Sequence, residues 1–249
     1  MSLAERIALV NEKIAAAARQ AGREPSEVTL VAATKVQTSD TIRQAIAAGV
    51  TICGENRVQE MTAHLDDDAY AGAALHFIGH LQTNKVRQVV GRVELIESVG
   101  SEHLLEAIEA QAAKLELVQD ILLEVNIGAE EAKSGFLAGD VLAAASKSGI
   151  SPEELSALAA QAVGSPHVRL RGLMAIPPVA AGPDGNRPFF AKMRQLYVDI
   201  RSQMDDNKTS FDCLSMGMSG DFEDAVREGA TLVRVGTALF GPRPPMHKG

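Results

Sequence analysis

Residues 213–239 read Cys213-Leu214-Ser215-Met216-Gly217-Met218-Ser219-Gly220-Asp221-Phe222-Glu223-Asp224-Ala225-Val226-Arg227-Glu228-Gly229-Ala230-Thr231-Leu232-Val233-Arg234-Val235-Gly236-Thr237-Ala238-Leu239. A short apolar run, Cys213–Met216, stops at a Gly/Ser turn. A helical pattern then covers Phe222–Glu228, and a second apolar run, Leu232–Val235, stops at Gly236-Thr237. Two parallel strands need a crossover between them, usually a helix, so the stretch predicts one unit of a parallel β/α architecture.

Towards the N-terminus the same alternation continues. Strands are predicted at Val28–Thr34, Val50–Cys53, Leu75–Ile78, Leu95–Val99, Ile121–Asn126 and Val168–Ile176. Helical patterns lie at Ser39–Ala48, Glu102–Leu117, Pro152–Val163 and Phe189–Met204. Ahead of them Leu3, Ile7, Val10, Ile14 and Ala17 recur at three- and four-residue spacing, which predicts an additional amphipathic helix. Eight short strands separated by helices in 249 residues fit a closed (β/α)8 TIM barrel with an extra N-terminal helix. An open doubly wound sheet usually carries GxGxxG after an early strand, and the sequence has none. No break in composition divides the chain, so residues 1–249 are expected to form a single domain. Pro177–Pro188, with four Pro and two Gly, reads as a functional loop after strand six.

Composition narrows the function. Twenty-four basic residues against 32 acidic give a net charge of −8, which disfavours general nucleic-acid binding. With seven Phe, two Tyr and no Trp, a stacking platform for single strands is not expected either. Cys53 and Cys213 stand too far apart for a CxxC or zinc pair, and Asp66-Asp67-Asp68 reads as a solvated helix end, so no metal site is expected. The charged N-terminus and the lack of a long apolar run predict no membrane span and a cytoplasmic protein.

In such barrels the active site forms where strands end. Lys35 ends strand one. The sixth strand carries Met174, the third runs into Gly79-His80, and Arg234 sits between Val233 and Val235 in strand eight. Ser219 after strand seven, and Gly236 and Thr237 after strand eight, occupy the two loops that often build a phosphate site; ordinary helix capping is the alternative. A desolvated lysine forms Schiff bases with carbonyls. A phosphate cradle beside such a lysine implies a phosphorylated aldehyde or ketone, and pyridoxal phosphate is one. Arg234 either pairs with a barrel carboxylate, Glu97 or Glu124, or faces the pyridine nitrogen of such a cofactor.

Thr34-Lys35, Gly54-Glu55-Asn56-Arg57-Val58-Gln59-Glu60, His76-Phe77-Ile78-Gly79-His80-Leu81-Gln82-Thr83-Asn84-Lys85, Ser215–Asp221 and Val233–Gly241 together resemble the pyridoxal phosphate homeostasis protein family. The resemblance runs from about Leu3 to Arg243. It implies a barrel similar to the N-terminal domain of alanine racemase, with pyridoxal 5'-phosphate as cofactor. It further implies that Lys35 carries the cofactor, that Met218, Ser219, Gly236 and Thr237 hold its phosphate, that Arg234 meets the ring nitrogen and that Asn56 lines the pocket. The implied role is a non-catalytic one, holding the cofactor and supplying it to apo-enzymes in vitamin B6 homeostasis. Lys133-Ser134-Gly135 also belongs to the resemblance, as a rim loop or a weak second anion site.

The alternative is an amino-acid racemase on the same barrel, or, further off, a cofactor-free Schiff-base aldolase. Two-base racemisation needs a proton donor on each face of the intermediate. Tyr70 and Tyr197 are not at strand ends and read as packing residues, so the second base is missing. A monomer is expected.

Overall fold

A computed structural model of the protein describes residues 1–127, 149–177, 185–204 and 211–242. The elements run in the order α1 (Leu3–Gln20), β1 (Thr29–Ala33), α2 (Ser39–Ala47), β2 (Ile52–Glu55), α3 (Val58–Asp66), β3 (Ala74–Phe77), β4 (Leu95–Val99), α4 (Glu102–Lys114) and β5 (Gln119–Val125). They continue as α5 (Leu155–Gly164), β6 (Val168–Ala175), α6 (Arg187–Ser202), β7 (Cys213–Ser215), α7 (Phe222–Arg227), β8 (Leu232–Val235) and α8 (Thr237–Phe240). All eight strands pair in parallel in chain order, and β8 closes on β1 with Val31 opposite Arg234. The expected TIM barrel with an N-terminal helix is the observed fold.

Helix α1 starts because Ser2 and Glu5 form a reciprocal capping box, each side chain accepting from the other's backbone N–H. Its Ile7, Val10, Ile14 and Ala17 stripe is buried, and it packs against α7 and α8. Just after it, Arg23 donates to the carbonyls of Val226 and Ala230 at 2.9 Å, tying the entry to β1 to the turn before β8.

Strand side chains alternate between two faces, and the barrel sorts them. Outward-facing residues such as Ala32, Ile96, Ile121, Leu123 and Val233 join the core under the helices. Val31, Leu95, Leu122, Met174 and Leu232 form a separate apolar cluster inside the barrel. Two residues further along the same strands come Ala33, Glu97, Glu124 and Arg234. An apolar layer thus supports a polar one nearer the C-terminal rim. The register between β5 and β6 shifts where Leu122 faces Gly172. Gly172 has φ +152° and a Cβ there would land on the Cys213 carbonyl, so only glycine fits the irregularity.

Boundaries moved in informative ways. The expected strand Val50–Cys53 lies two residues later, at Ile52–Glu55, which takes Glu55 off the rim and into the sheet. Helix α3 and a 3-10 segment at Thr83–Gln88 fill stretches where the sequence predicted no element. Helix α6 begins at Arg187, two residues before the expected start, with Pro188 in its first turn, where its missing N–H costs nothing. Lys133-Ser134-Gly135 and residues 178–184 of the Pro-rich loop lie outside the described residues.

Leu122 is fully buried in the inner layer. Leu122→Ala should lower unfolding stability by about 2–5 kcal/mol in urea titrations. The exposed Leu115→Ala should stay within about 0.5 kcal/mol. Equal small losses for both would show that the inner layer is not packed.

Candidate functional site

At the C-terminal rim a cavity of about 430 Å³ is lined by Ala33, Lys35, Val36, Gln37, Asn56, Ile78, Gly79, His80, Glu124, Ile176, Met218, Ser219, Gly220, Arg234, Gly236, Thr237, Phe240 and Gly241. All seven residues singled out in the sequence, Lys35, Asn56, Met218, Ser219, Arg234, Gly236 and Thr237, are among them. They come from loops after four different strands, β1, β2, β7 and β8, and from β8 itself.

Lys35 lies just past β1, in a tight turn rather than in the strand. Thr34 anchors the turn: its N–H donates to Gly54 O at 3.0 Å, and its hydroxyl to Glu55 Oε1 at 2.6 Å. On the other side Val36 takes φ +58°, a left-handed value that a β-branched residue rarely adopts. Its N–H is held by Glu60 Oε2 at 2.9 Å. Local strain of this kind persists only where the surroundings impose it, and it clusters at functional sites. Here it fixes the residue next to the half-buried lysine.

Behind the turn, Glu55 is fully buried. Tyr70 donates its hydroxyl proton to Glu55 Oε1 at 3.0 Å, and His64 Nδ1 is 3.1 Å from the Tyr70 oxygen. Burial raises the Glu55 carboxyl above its ordinary value, opposed by the hydrogen bonds from Thr34 and Tyr70. The Tyr70 phenol is raised as well, by burial and then by Glu55. The expectation that Tyr70 only packs is therefore corrected: its hydroxyl belongs to a polar chain that ends at Thr34, the residue before Lys35. Tyr197 donates to Phe211 O at 3.0 Å and stacks on the Phe211 ring. Neither tyrosine lines the cavity.

Asn56 follows Glu55 and lies against Gly79, where a Cβ would fall on the Asn56 backbone. That close approach requires glycine. Asn56 Oδ1 is buried and has no hydrogen-bond partner.

Arg234 is buried in β8 and reaches the cavity floor. Nη1 donates to Ser215 Oγ, Nη2 donates to Ala175 O at 2.8 Å, and Glu97 Oε2 stands 3.8 Å from Nη1. Burial depresses the guanidinium, opposed by the charges of Glu97, Glu124 and Asp221. Of the two carboxylates considered from sequence, Glu97 makes the ion pair.

On the other wall, Ser219 Oγ accepts from the N–H groups of Gly236 at 3.1 Å and Ala238 at 3.2 Å. The capping alternative fails at α7, whose N-cap is Asp221: Ser219 instead reaches across to the loop after β8. Asp221 holds its own loop by accepting from Met218 N–H at 2.6 Å and from Asn186 Nδ2 at 2.7 Å. Ser219 Oγ takes both of these N–H groups, so its own hydroxyl proton is the one left to give, beside Met218 and Thr237 at the cavity wall.

Other chemistry is poorly served. Burial pushes the Cys53 and Cys213 thiols up to about 12, which keeps them protonated near neutrality and unreactive. Among the described residues no group of three or more His, Cys, Asp or Glu is placed to hold a metal ion. No helix among them is long and apolar enough to cross a membrane. The sequence reading missed the Thr34–Glu55–Tyr70 chain and the strained Val36. Thr34 and Glu55 stood inside the recognised motifs, but nothing linear linked them to Tyr70.

The alanine racemase, N-terminal domain, family model matches residues 10–244. A pyridoxal phosphate homeostasis protein of Aquifex aeolicus is 39% identical over 243 residues, covering 98% of this chain and 99% of the relative. The chain belongs to the pyridoxal phosphate homeostasis protein family. The family protein PipY of Synechococcus elongatus, solved with pyridoxal phosphate bound, superposes with a TM-score of 0.77 at 33% identity, over 96% of this chain and 100% of PipY. An alanine racemase of Corynebacterium glutamicum shares the barrel at a TM-score of 0.60 and 14% identity, over 96% of this chain and 63% of the racemase. That likeness concerns fold alone.

Within this family member, Glu55 makes a pH prediction. Its raised folded value means that folding favours the protonated acid. The contribution is complete at low pH and is lost as pH rises from about 4.3, the unperturbed value, through the raised folded one. Wild-type stability should therefore decline relative to Glu55→Gln as pH goes from 4 towards 8 in parallel denaturant titrations. Identical slopes for the two proteins would show that the buried charge is not felt.

Proposed function

We propose that this chain binds pyridoxal 5'-phosphate in the rim cavity, holds it as a Schiff base on Lys35 and serves as a carrier in vitamin B6 homeostasis that supplies apo-enzymes. The observation that carries the reading is convergence: an amine, a buried guanidinium and a serine hydroxyl held at the loop after β8 line one cavity. Those are the partners that an aldehyde, a pyridine nitrogen and a phosphate need.

The residues fit the cofactor chemically. Asn56 Oδ1, buried and without a partner, is an acceptor that a ligand hydroxyl would satisfy. When bound, pyridoxal phosphate supplies an electrophilic carbonyl carbon and an aromatic ring that withdraws electrons. The chain does the rest. The Thr34–Val36 turn presents the Lys35 amine; Ser219, Gly236 and Thr237 hold the phosphate, with Met218 beside them; Arg234 donates towards the ring nitrogen. An arginine does not give up its proton, so it keeps that nitrogen unprotonated and weakens the ring as an electron sink.

The same residues favour carrying over racemisation. A second base opposite Lys35 is required for two-base chemistry, and both tyrosines of the chain are committed elsewhere, to Glu55 and to Phe211 O. In this reading residues 1–249 act as one cofactor-binding domain, monomeric and cytoplasmic, with apo pyridoxal-phosphate enzymes as recipients. Closure of β8 on β1 supports the single domain.

Borohydride treatment of the protein with added pyridoxal phosphate should give one reduced adduct on Lys35, and Lys35→Ala should abolish it. An adduct at another lysine in that variant sinks the Lys35 assignment. Incubation with individual L- and D-amino acids in deuterium oxide should give no multiple-turnover exchange at Cα; exchange at ordinary enzymatic rates sinks the carrier role.

A further inference from the structure

Glu97 has no solvent exposure, sits in the middle of β4 and does not line the cavity. Its Oε1 is 2.8 Å from His76 Nδ1, and its Oε2 accepts from Ser215 Oγ at 2.5 Å. Burial alone would raise this carboxyl, yet His76, Arg234 and Ser215 together hold it below its ordinary value, so it is an anion inside the barrel. An ionised carboxylate only accepts hydrogen bonds. His76 Nδ1 therefore carries a proton, and so does the Ser215 oxygen on the side facing Glu97.

That single proton has a consequence for Arg234. A serine hydroxyl that gives its one proton to a carboxylate has only lone pairs left for its other neighbour. Arg234 Nη1 donates to that oxygen, while Nη2 donates to Ala175 O at 2.8 Å. The guanidinium is thus fixed at two corners, from β7 and from β6, and the charge that polarises the first corner comes from β4. Arg234 lines the cavity; Glu97, Ser215 and His76 do not.

We propose that Glu97 and Ser215, with His76 behind them, are positioning residues that lock the Arg234 guanidinium in one orientation and thereby set how strongly it would hold the ring nitrogen of a bound cofactor. This rests on the cofactor reading above. The polarity is directional: Glu97 orients Ser215, and Ser215 orients Arg234. Removing the hydroxyl leaves both ions buried and the arginine without its first anchor, whereas a threonine keeps the anchor. Glu97→Gln preserves shape but presents neutral groups to Ser215, so the direction of that hydroxyl is no longer imposed.

The test uses the full chain with pyridoxal phosphate labelled with ¹⁵N in the ring. Ser215→Ala should move the ring ¹⁵N resonance towards that of a pyridine without a hydrogen bond and weaken cofactor binding about tenfold, one lost charge-assisted hydrogen bond. Glu97→Gln should give the same displacement, and Ser215→Thr should restore both readouts. A structural role alone would lower thermal stability without moving the ring resonance. The resonance and the dissociation constant of Ser215→Ala matching wild type would overturn the proposal. Protein without cofactor supplies a second readout: separate Arg234 Nη proton signals, from slow guanidinium rotation, in wild type and averaged ones in Ser215→Ala and Glu97→Gln. Averaged signals in wild type also overturn it. Failure of wild type to take up the cofactor strikes the carrier reading instead, and the guanidinium signals still decide whether Ser215 and Glu97 fix Arg234.

Discussion

A guanidinium inside a β-barrel is tolerated only when its charge and its N–H groups are met where it stands, because burying an unpaired ion costs several kcal/mol. Arg234 imposes that condition on the upper half of this barrel. It requires an anion within the barrel, which Glu97 provides at 3.8 Å, and acceptors at fixed corners, which Ser215 and Ala175 provide. The anion in turn has to be satisfied, and His76 does this from β3. Three strands, β3, β4 and β7, thus contribute side chains to the arginine of β8, and a fourth, β6, contributes a carbonyl at its end. Such an arrangement survives only in a closed sheet, where β3, β4, β7 and β8 all look inward.

The inner apolar layer is the other half of the same constraint. Val31, Leu95, Leu122, Met174 and Leu232 fill the barrel below the polar groups. With carbon beneath, the charges above are shielded from water on one side and open to it only through the cavity. Electrostatic interactions are stronger in such surroundings than in bulk solvent. This is how a chain with a net charge of −8 keeps a cationic floor in its rim cavity. Bulk charge describes the outer surface and says little about the rim.

Much of this was legible in the sequence, for a physical reason that also sets the limit. Apolar runs of strand length, spaced by helical patterns, specify the barrel because burial on both faces writes itself into consecutive residues. Lys35 and Arg234 stood out because a cation at the end or in the middle of such a run contradicts its surroundings. Ser219, Gly236 and Thr237 stood out through their place after the last two strands. What escaped was cross-strand partnership. Glu97 and Ser215 are 118 residues apart, and their meeting depends on the shear of the sheet rather than on any local pattern. Tyr70 escaped for the same reason: an isolated tyrosine after a helix shows nothing of the Glu55 carboxylate it bonds. Glu55 fell outside the expected strand, which stopped at Cys53, whereas in the barrel Gly54 sits inside the strand and leaves room for its neighbour Val31.

Two buried carboxylates near the cavity have opposite environments, and the contrast bears on what the site can do. Glu97 receives hydrogen bonds from His76 and Ser215 and faces a guanidinium, so it stays ionised and fixes a charge. Glu55 meets hydroxyl donors and desolvation, with its Oε2 unpartnered, so the fold favours the neutral acid. Pairs of titratable groups pushed apart in this way often mark an acid and a base in catalysis. Here neither carboxyl lines the cavity, and each is spent on a neighbour: one orients Arg234, the other anchors the turn that carries Lys35. Both carboxyls thus brace parts of the cavity wall from behind. The carboxyl that does line the cavity is Glu124, buried on β5 two residues beyond Leu122, so the acid that faces a ligand there is a third one, distinct from the two that brace the walls.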